Sequence, residues 1–130
     1  MTNPRRMQMA TSGAGGGCTA ASGNEVLLIH SDTSNGSTTF EDSSDDGRTV
    51  SAIGAAQHST SQAKFGGSSV YFDGSGSGAS ITKLTVPDDD VWAFGTANHT
   101  VDFWVYPTSF ANYSWMATWG PDGGWPLIPW

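Results

Sequence analysis

KFGGSSVYFDGSGSGASITKLTV, residues 64–86, decides the fold, because its glycine- and serine-rich middle admits two readings. A phosphate cradle needs a helix to begin directly after the glycines, and in its commonest form a Lys-Ser/Thr pair as well. Neither follows here. What comes next, ITKLTV, is β-branched and suits a strand. Before the glycines, SSVYF alternates, with Val70 and Phe72 on one side and Ser69 and Tyr71 on the other. The stretch therefore reads as strand, turn, strand, with Asp73 and Gly74 heading a hairpin-type turn. Ile81 is out of phase with Leu84 and Val86, which predicts a bulge or bend near Thr82 and Lys83.

The same texture extends in both directions. VLLIH (26–30) is a short continuous apolar run, TTFED (38–42) is built around Phe40, and TVSAI (49–53) follows the acidic turn DSSDDG. In TVDFWVY (100–106) the pattern predicts a core face of Val101, Phe103 and Val105, with Thr100, Asp102, Trp104 and Tyr106 pointing away. YSWMATW (113–119) alternates again. No window of ten or more residues carries a 3.6-residue period, so the expectation is an all-β sandwich or barrel.

Two terminal stretches differ from this body. Residues 1–24 hold no large apolar side chain except Met1, Met7 and Met9 and include a glycine-rich run at 13–17, which predicts an arm, flexible or bound to a partner. Residues 120–130, GPDGGWPLIPW, carry Pro126 and Pro129 inside their one apolar run, which allows at most an edge strand.

At 130 residues the chain has room for one domain. Its net charge of −7 is uneven: with Arg5 and Arg6 in the arm, the rest carries twelve acids against Arg48, Lys64 and Lys83. Such a body is expected to repel nucleic acid and anionic lipid. Cys18 is the only cysteine, so neither an internal disulfide nor a cysteine-built zinc site can form. No run reaches the roughly 20 apolar residues of a membrane span, and no apolar stretch follows the first basic residues, so neither membrane insertion nor a signal peptide is expected.

For metal binding, DSSDDG begins like an EF-hand loop, with Asp42, Ser44, Asp46 and Gly47 at positions one, three, five and six, but Ile53 stands where the bidentate acid belongs. A calcium site assembled from separate loops, drawing on Asp32, Asp73, Asp88 or Asp90, is the remaining metal candidate, against the plainer reading of solvated acidic turns. Catalysis has less support: no G-x-S-x-G elbow occurs, His30, His58 and His99 read as strand-end or loop residues, and no paired carboxylates stand out. Asp102 reads as the outward residue of an amphipathic strand. Six tryptophans fall in the last third of the chain. Trp104 lies on the polar face of its strand, and Trp125 and Trp130 lie in the proline-broken tail, so these three are candidates to anchor a partner or stack on a sugar.

The order of motifs, VLLIHSD, TTFEDSS, then KFGGSSVYFDG and HTVDFWVYP, resembles the first half of a laminin G-like, concanavalin A-like jelly-roll domain over residues 25–119. Versions preceded by a glycine-rich arm resemble domains of bacteriophage tail and other virion proteins. The resemblance implies an antiparallel two-sheet β-sandwich that binds glycans or proteins and sometimes carries calcium at one rim. Only eleven residues follow Trp119, so the expected sandwich is incomplete, and its uncovered edges invite another chain. The expectation is a non-enzymatic virion structural protein (tail, fibre or capsid decoration) without a required cofactor. Its arm, with Arg5 and Arg6, would contact other virion proteins or further copies of itself. The alternative is a lectin-like module for cell-surface glycans, with calcium at a loop.

Overall fold

The computed structural model describes residues 5–10, 25–77, 80–109, 115–118 and 127–129. Among these residues ten strands run in chain order: β1 (Arg5–Ala10), β2 (Glu25–His30), β3 (Phe40–Glu41), β4 (Thr49–Ile53), β5 (Gln57–Ser59), β6 (Ser69–Tyr71), β7 (Lys83–Thr85), β8 (His99–Asp102), β9 (Trp115–Thr118) and β10 (Leu127–Pro129). Among the described residues no α-helix occurs, and a 3-10 turn at Asp90–Trp92 stands between β7 and β8. The protein is all-β. No helix among the described residues is long and apolar enough to cross a membrane.

The strands form a sheet ordered β2-β1-β8, a sheet ordered β3-β4-β7, and the pairs β5-β6 and β9-β10. Among the described strands pairing is antiparallel except around β1, which runs parallel to both β2 and β8. That exception falls inside the stretch read as an arm. Arg5–Ala10 is laid between two strands of the chain's own sheet, held by a backbone ladder that needs no large side chain. A bridge from Ile29 to Asp42 links β2 to the start of the β3-β4-β7 sheet.

The core grows from β2. Val26, Leu27, Leu28 and Ile29 are all buried, as expected of a strand covered on both faces. Phe40 and Trp92 close on this run, and Val50, Ala52, Val70, Leu84, Val86, Val91 and Phe94 pack around it. Each fully buried aliphatic or aromatic side chain of this group contributes about 1.5–3 kcal/mol of transfer free energy. Trp92 reaches the core because Asp89 caps the 3-10 turn, its carboxylate accepting from the Val91 N–H at 2.9 Å. The indole N–H then donates to the Pro87 carbonyl at 3.1 Å.

Two expected details change. The strand of TVDFWVY ends at Asp102, so the alternation stops and Val105, expected in the core, is exposed. The turn after β6 is no hairpin: β6 pairs with β5, whereas β7 pairs with β4. The glycine run therefore carries the chain from one sheet to another. The bend predicted near Thr82 is present, with β7 starting only at Lys83. β10 pairs with β9 alone among the described strands, the edge position its prolines allow.

Candidate functional site

Asp73 heads the turn between sheets. One carboxylate oxygen accepts from the Ser75 N–H at 2.9 Å and from the Thr82 hydroxyl at 2.5 Å, and the other accepts from the Ser75 hydroxyl at 2.6 Å. The Ser75 hydroxyl, the Thr82 hydroxyl and the Ser75 N–H together hold the carboxyl down to about 2. Gly76, at φ +90°, fits because a Cβ there would run into the Ser80 carbonyl. The carboxylate is thus occupied in folding the turn.

The other acidic turn behaves alike. Asp42, first residue of the EF-hand-like run, accepts N–H groups from Leu28 (2.9 Å), Ser44 (2.9 Å) and Arg48 (2.8 Å) and the Ser44 hydroxyl (2.7 Å). Burial alone would raise its carboxyl, but the donors from Leu28, Arg48 and Ser44 outweigh it and the group sits below the usual value. Four hydrogen-bond donors turned on one carboxylate make a poor seat for a cation.

Arg48 joins this turn to the 3-10 turn. Its Nε donates to the Val26 carbonyl at 3.0 Å, while Nη1 and Nη2 meet Asp89 and Asp46 at 2.9 and 2.7 Å. The guanidinium also lies 5.2 Å from the Trp92 ring centroid. The hydrogen bond to Asp89, ahead of the opposing burial and the bond to Asp46, raises its pKa. Around Arg48 opens an acidic groove of about 500 Å³, lined by Glu25, Asp45, Asp46, Asp89, Asp90 and Val91. Two of its acids are already paired with the arginine.

The calcium candidates are dispersed among these turns. Asp32 accepts the Gly67 N–H at 3.2 Å, Asp73 folds its own turn, and Asp88 and Asp90 flank the cap of the 3-10 turn. Among the described residues no three His, Cys, Asp or Glu side chains converge as metal ligands would. Asp102 is exposed at the end of β8.

A serine–histidine pair missed in the sequence lies inside the protein. Ser31 Oγ and His58 Nδ1 are 2.6 Å apart, and His58 Nε2 is 2.9 Å from the Thr39 carbonyl. A carbonyl only accepts, so Nε2 carries the proton and Nδ1 accepts from the Ser31 hydroxyl. That is the tautomer in which a histidine could activate a serine. Yet Ser31 and His58 are each only 1% exposed, and the imidazole stacks on Phe40 with centroids 4.2 Å apart. Ser68, fully buried, extends the chain of bonds by donating to the Ser31 carbonyl at 2.8 Å and accepting from the Thr33 N–H at 3.1 Å. No substrate reaches this serine, and the network holds the 31–33 loop against β5 and the approach to β6.

Exposed aromatic side chains supply the remaining site. Trp104 is 65% and Tyr106 69% exposed, with Val105 between them. Phe65 meets Trp104 edge-on, with centroids 6.0 Å apart at 77°. Lys64 Nζ stands 4.6 Å from the Trp104 ring centroid and 5.9 Å from that of Phe65. The two motifs quoted for the resemblance, KFGG and DFWVY, thus meet in space as an apolar ridge with one ammonium on it. Of the other contact candidates, Arg5 and Arg6 lie in β1, while Trp125 and Trp130 fall outside the described residues. The chain matches no protein-family model, no curated protein and no solved structure.

Proposed function

We propose that the protein is a non-enzymatic structural component of a bacteriophage particle, a tail, fibre or capsid-decoration protein, whose β body serves assembly or surface display. The body is taken to be a laminin G-like jelly-roll sandwich, with β2-β1-β8 and β3-β4-β7 belonging to its two sheets. The observation that carries the reading is the ridge of Phe65, Trp104, Val105 and Tyr106, four of the seven large apolar side chains exposed among the described residues and including the two most exposed, Trp104 and Tyr106. Exposed Phe, Trp and Tyr grouped together have the composition of a protein-interface anchor.

Light scattering of the purified chain tests this. The wild type is expected to self-associate or to bind particle proteins, and Trp104→Ala is expected to weaken that association by about 2 kcal/mol, roughly thirtyfold. A wild type that stays monomeric and ignores particle proteins would refute the assembly role. The second reading, a glycan-binding module, rests on the same indole, which is flat, accessible and of the kind that stacks on sugar rings. Glycan binding lost in Trp104→Ala, with no self-association in the wild type, would favour it. A calcium-dependent rise in melting temperature would place the loop acids in that site.

A further inference from the structure

We infer that Asn35-Gly36 is a deamidation site gated by β5: closed against that strand the pair is inert, and each opening of the turn lets Asn35 convert irreversibly to aspartate or isoaspartate. The pair is there because the turn demands it. The Ser37 N–H donates to the Ser34 carbonyl at 3.1 Å, which makes Asn35 and Gly36 the central residues, and Gly36 stands at φ +81°, a conformation that glycine adopts without strain. Glycine after asparagine is also the pairing most open to imide formation, because no side chain shields the attacking nitrogen. Asn35 and Gly36 are exposed, so water reaches both.

The reaction consumes only water. The Gly36 nitrogen gives up its proton and attacks Asn35 Cγ; the new C–N bond replaces the side-chain amide bond, and ammonia leaves with the proton. Water then opens the cyclic imide at one of its two carbonyls. Opening at the former side-chain carbonyl gives isoaspartate's isomer, ordinary aspartate, whereas opening at the backbone carbonyl gives isoaspartate, whose main chain runs through the extra side-chain carbon.

In the closed state β5 holds the reacting groups apart. The Gly36 N–H donates to the His58 carbonyl at 2.8 Å, so its proton is engaged. Asn35 Oδ1 instead accepts from the Thr60 N–H at 3.1 Å, with the Thr60 hydroxyl at 3.4 Å. Nucleophile and electrophile are thus tied to two different residues of the facing segment. A third bond, from the His58 N–H to the Ser37 carbonyl at 2.7 Å, keeps the turn on the strand. Imide closure must wait for these bonds to open, so its rate follows the open fraction. The comparable pairs among the described residues, Asp46-Gly47 and Asp73-Gly74, present carboxylates, which are poor electrophiles when ionised, and these are bonded to Arg48 and to Ser75 and Thr82. Isoaspartate at position 35 cannot close again, because the added carbon shifts the Gly36 nitrogen away from the His58 carbonyl. Each event therefore loosens the turn from β5 for good.

Peptide mapping by mass spectrometry of the full-length chain at mildly alkaline pH tests the gate. The folded protein should lose the Asn35 amide at least about tenfold more slowly than the same chain in denaturing urea, since more than one hydrogen bond must break first. In sub-denaturing urea, hydrogen exchange at the Gly36 N–H and deamidation at Asn35 should accelerate in proportion, because one opening controls both. Thr60→Pro removes the N–H that holds Asn35 and should speed the folded-state reaction by about fivefold, the factor for one ordinary hydrogen bond; if that variant does not fold, the urea series on the wild type decides. Equal rates in the folded and unfolded chain, deamidation that ignores Gly36 exchange, or a folded Thr60→Pro protein no faster than wild type would each overturn the gate. The isolated isoaspartate form should melt below the Asn35→Asp protein, whose carboxylate can still accept from Thr60. Equal melting temperatures would overturn the loosening of the turn.

Discussion

Asp42 shows how much one side chain can organise. Its two oxygens gather the N–H of Leu28 from β2, the N–H and hydroxyl of Ser44 within its own turn, and the N–H of Arg48 ahead of β4. Asp42→Asn replaces one accepting oxygen by a donor that faces other donors, and is expected to cost about 2–3 kcal/mol in urea unfolding at neutral pH. The sign of the pH dependence follows from the depressed carboxyls. Both Asp42 and Asp73 titrate below their ordinary value of 3.8 when folded, so their contribution is complete above that value and is lost as pH falls. For Asp73 the loss extends down to about 2. Acid titration of the wild type should therefore show stability falling below about pH 4, and the Asp42→Asn protein should fall less steeply over the same range.

At the scale of elements, the crossing from β6 to β7 depends on glycine. Gly76→Ala forces a left-handed residue with a Cβ against the Ser80 carbonyl and is expected to destabilise by about 1–3 kcal/mol, read as a lowered melting temperature. Most strands were legible in the sequence because large apolar residues mark them: TVSAI matches β4, VLLIH is β2 less its first residue, and SSVYF encloses β6. β5 was not legible, since Gln57, His58 and Ser59 include no apolar residue and the buried member is a histidine satisfied by Ser31 and Thr39. β1 was hidden for a related reason. Its place depends on a ladder of main-chain groups, and composition alone reads such a segment as unanchored. The aromatic ridge was half legible: the outward phase of Trp104 is in the pattern, but its meeting with Lys64 and Phe65 depends on how two loops approach.

Across the whole molecule, the bonds that define the fold join residues far apart in sequence. Ser31 reaches His58, Thr33 reaches Ser68, and Arg48 reaches Asp89. Loop closure must precede most of the stabilising contacts, so folding is expected in milliseconds to seconds, as for other β proteins dominated by non-local pairing. Stopped-flow tryptophan fluorescence would measure it, and relaxation in microseconds would contradict the topology.

The chain of bonds from Thr33 through Ser68 and Ser31 to His58 and Thr39 has a consequence for fidelity. Greasy surfaces tolerate sliding, whereas a dry imidazole suspended between a hydroxyl and a carbonyl accepts one alignment only. If β5 slipped by one residue, Gln57 or Ser59 would enter that position, His58 would turn outward, and both of its former partners would be stranded. The interior thus acts as a proofreader that penalises a misthreaded ribbon.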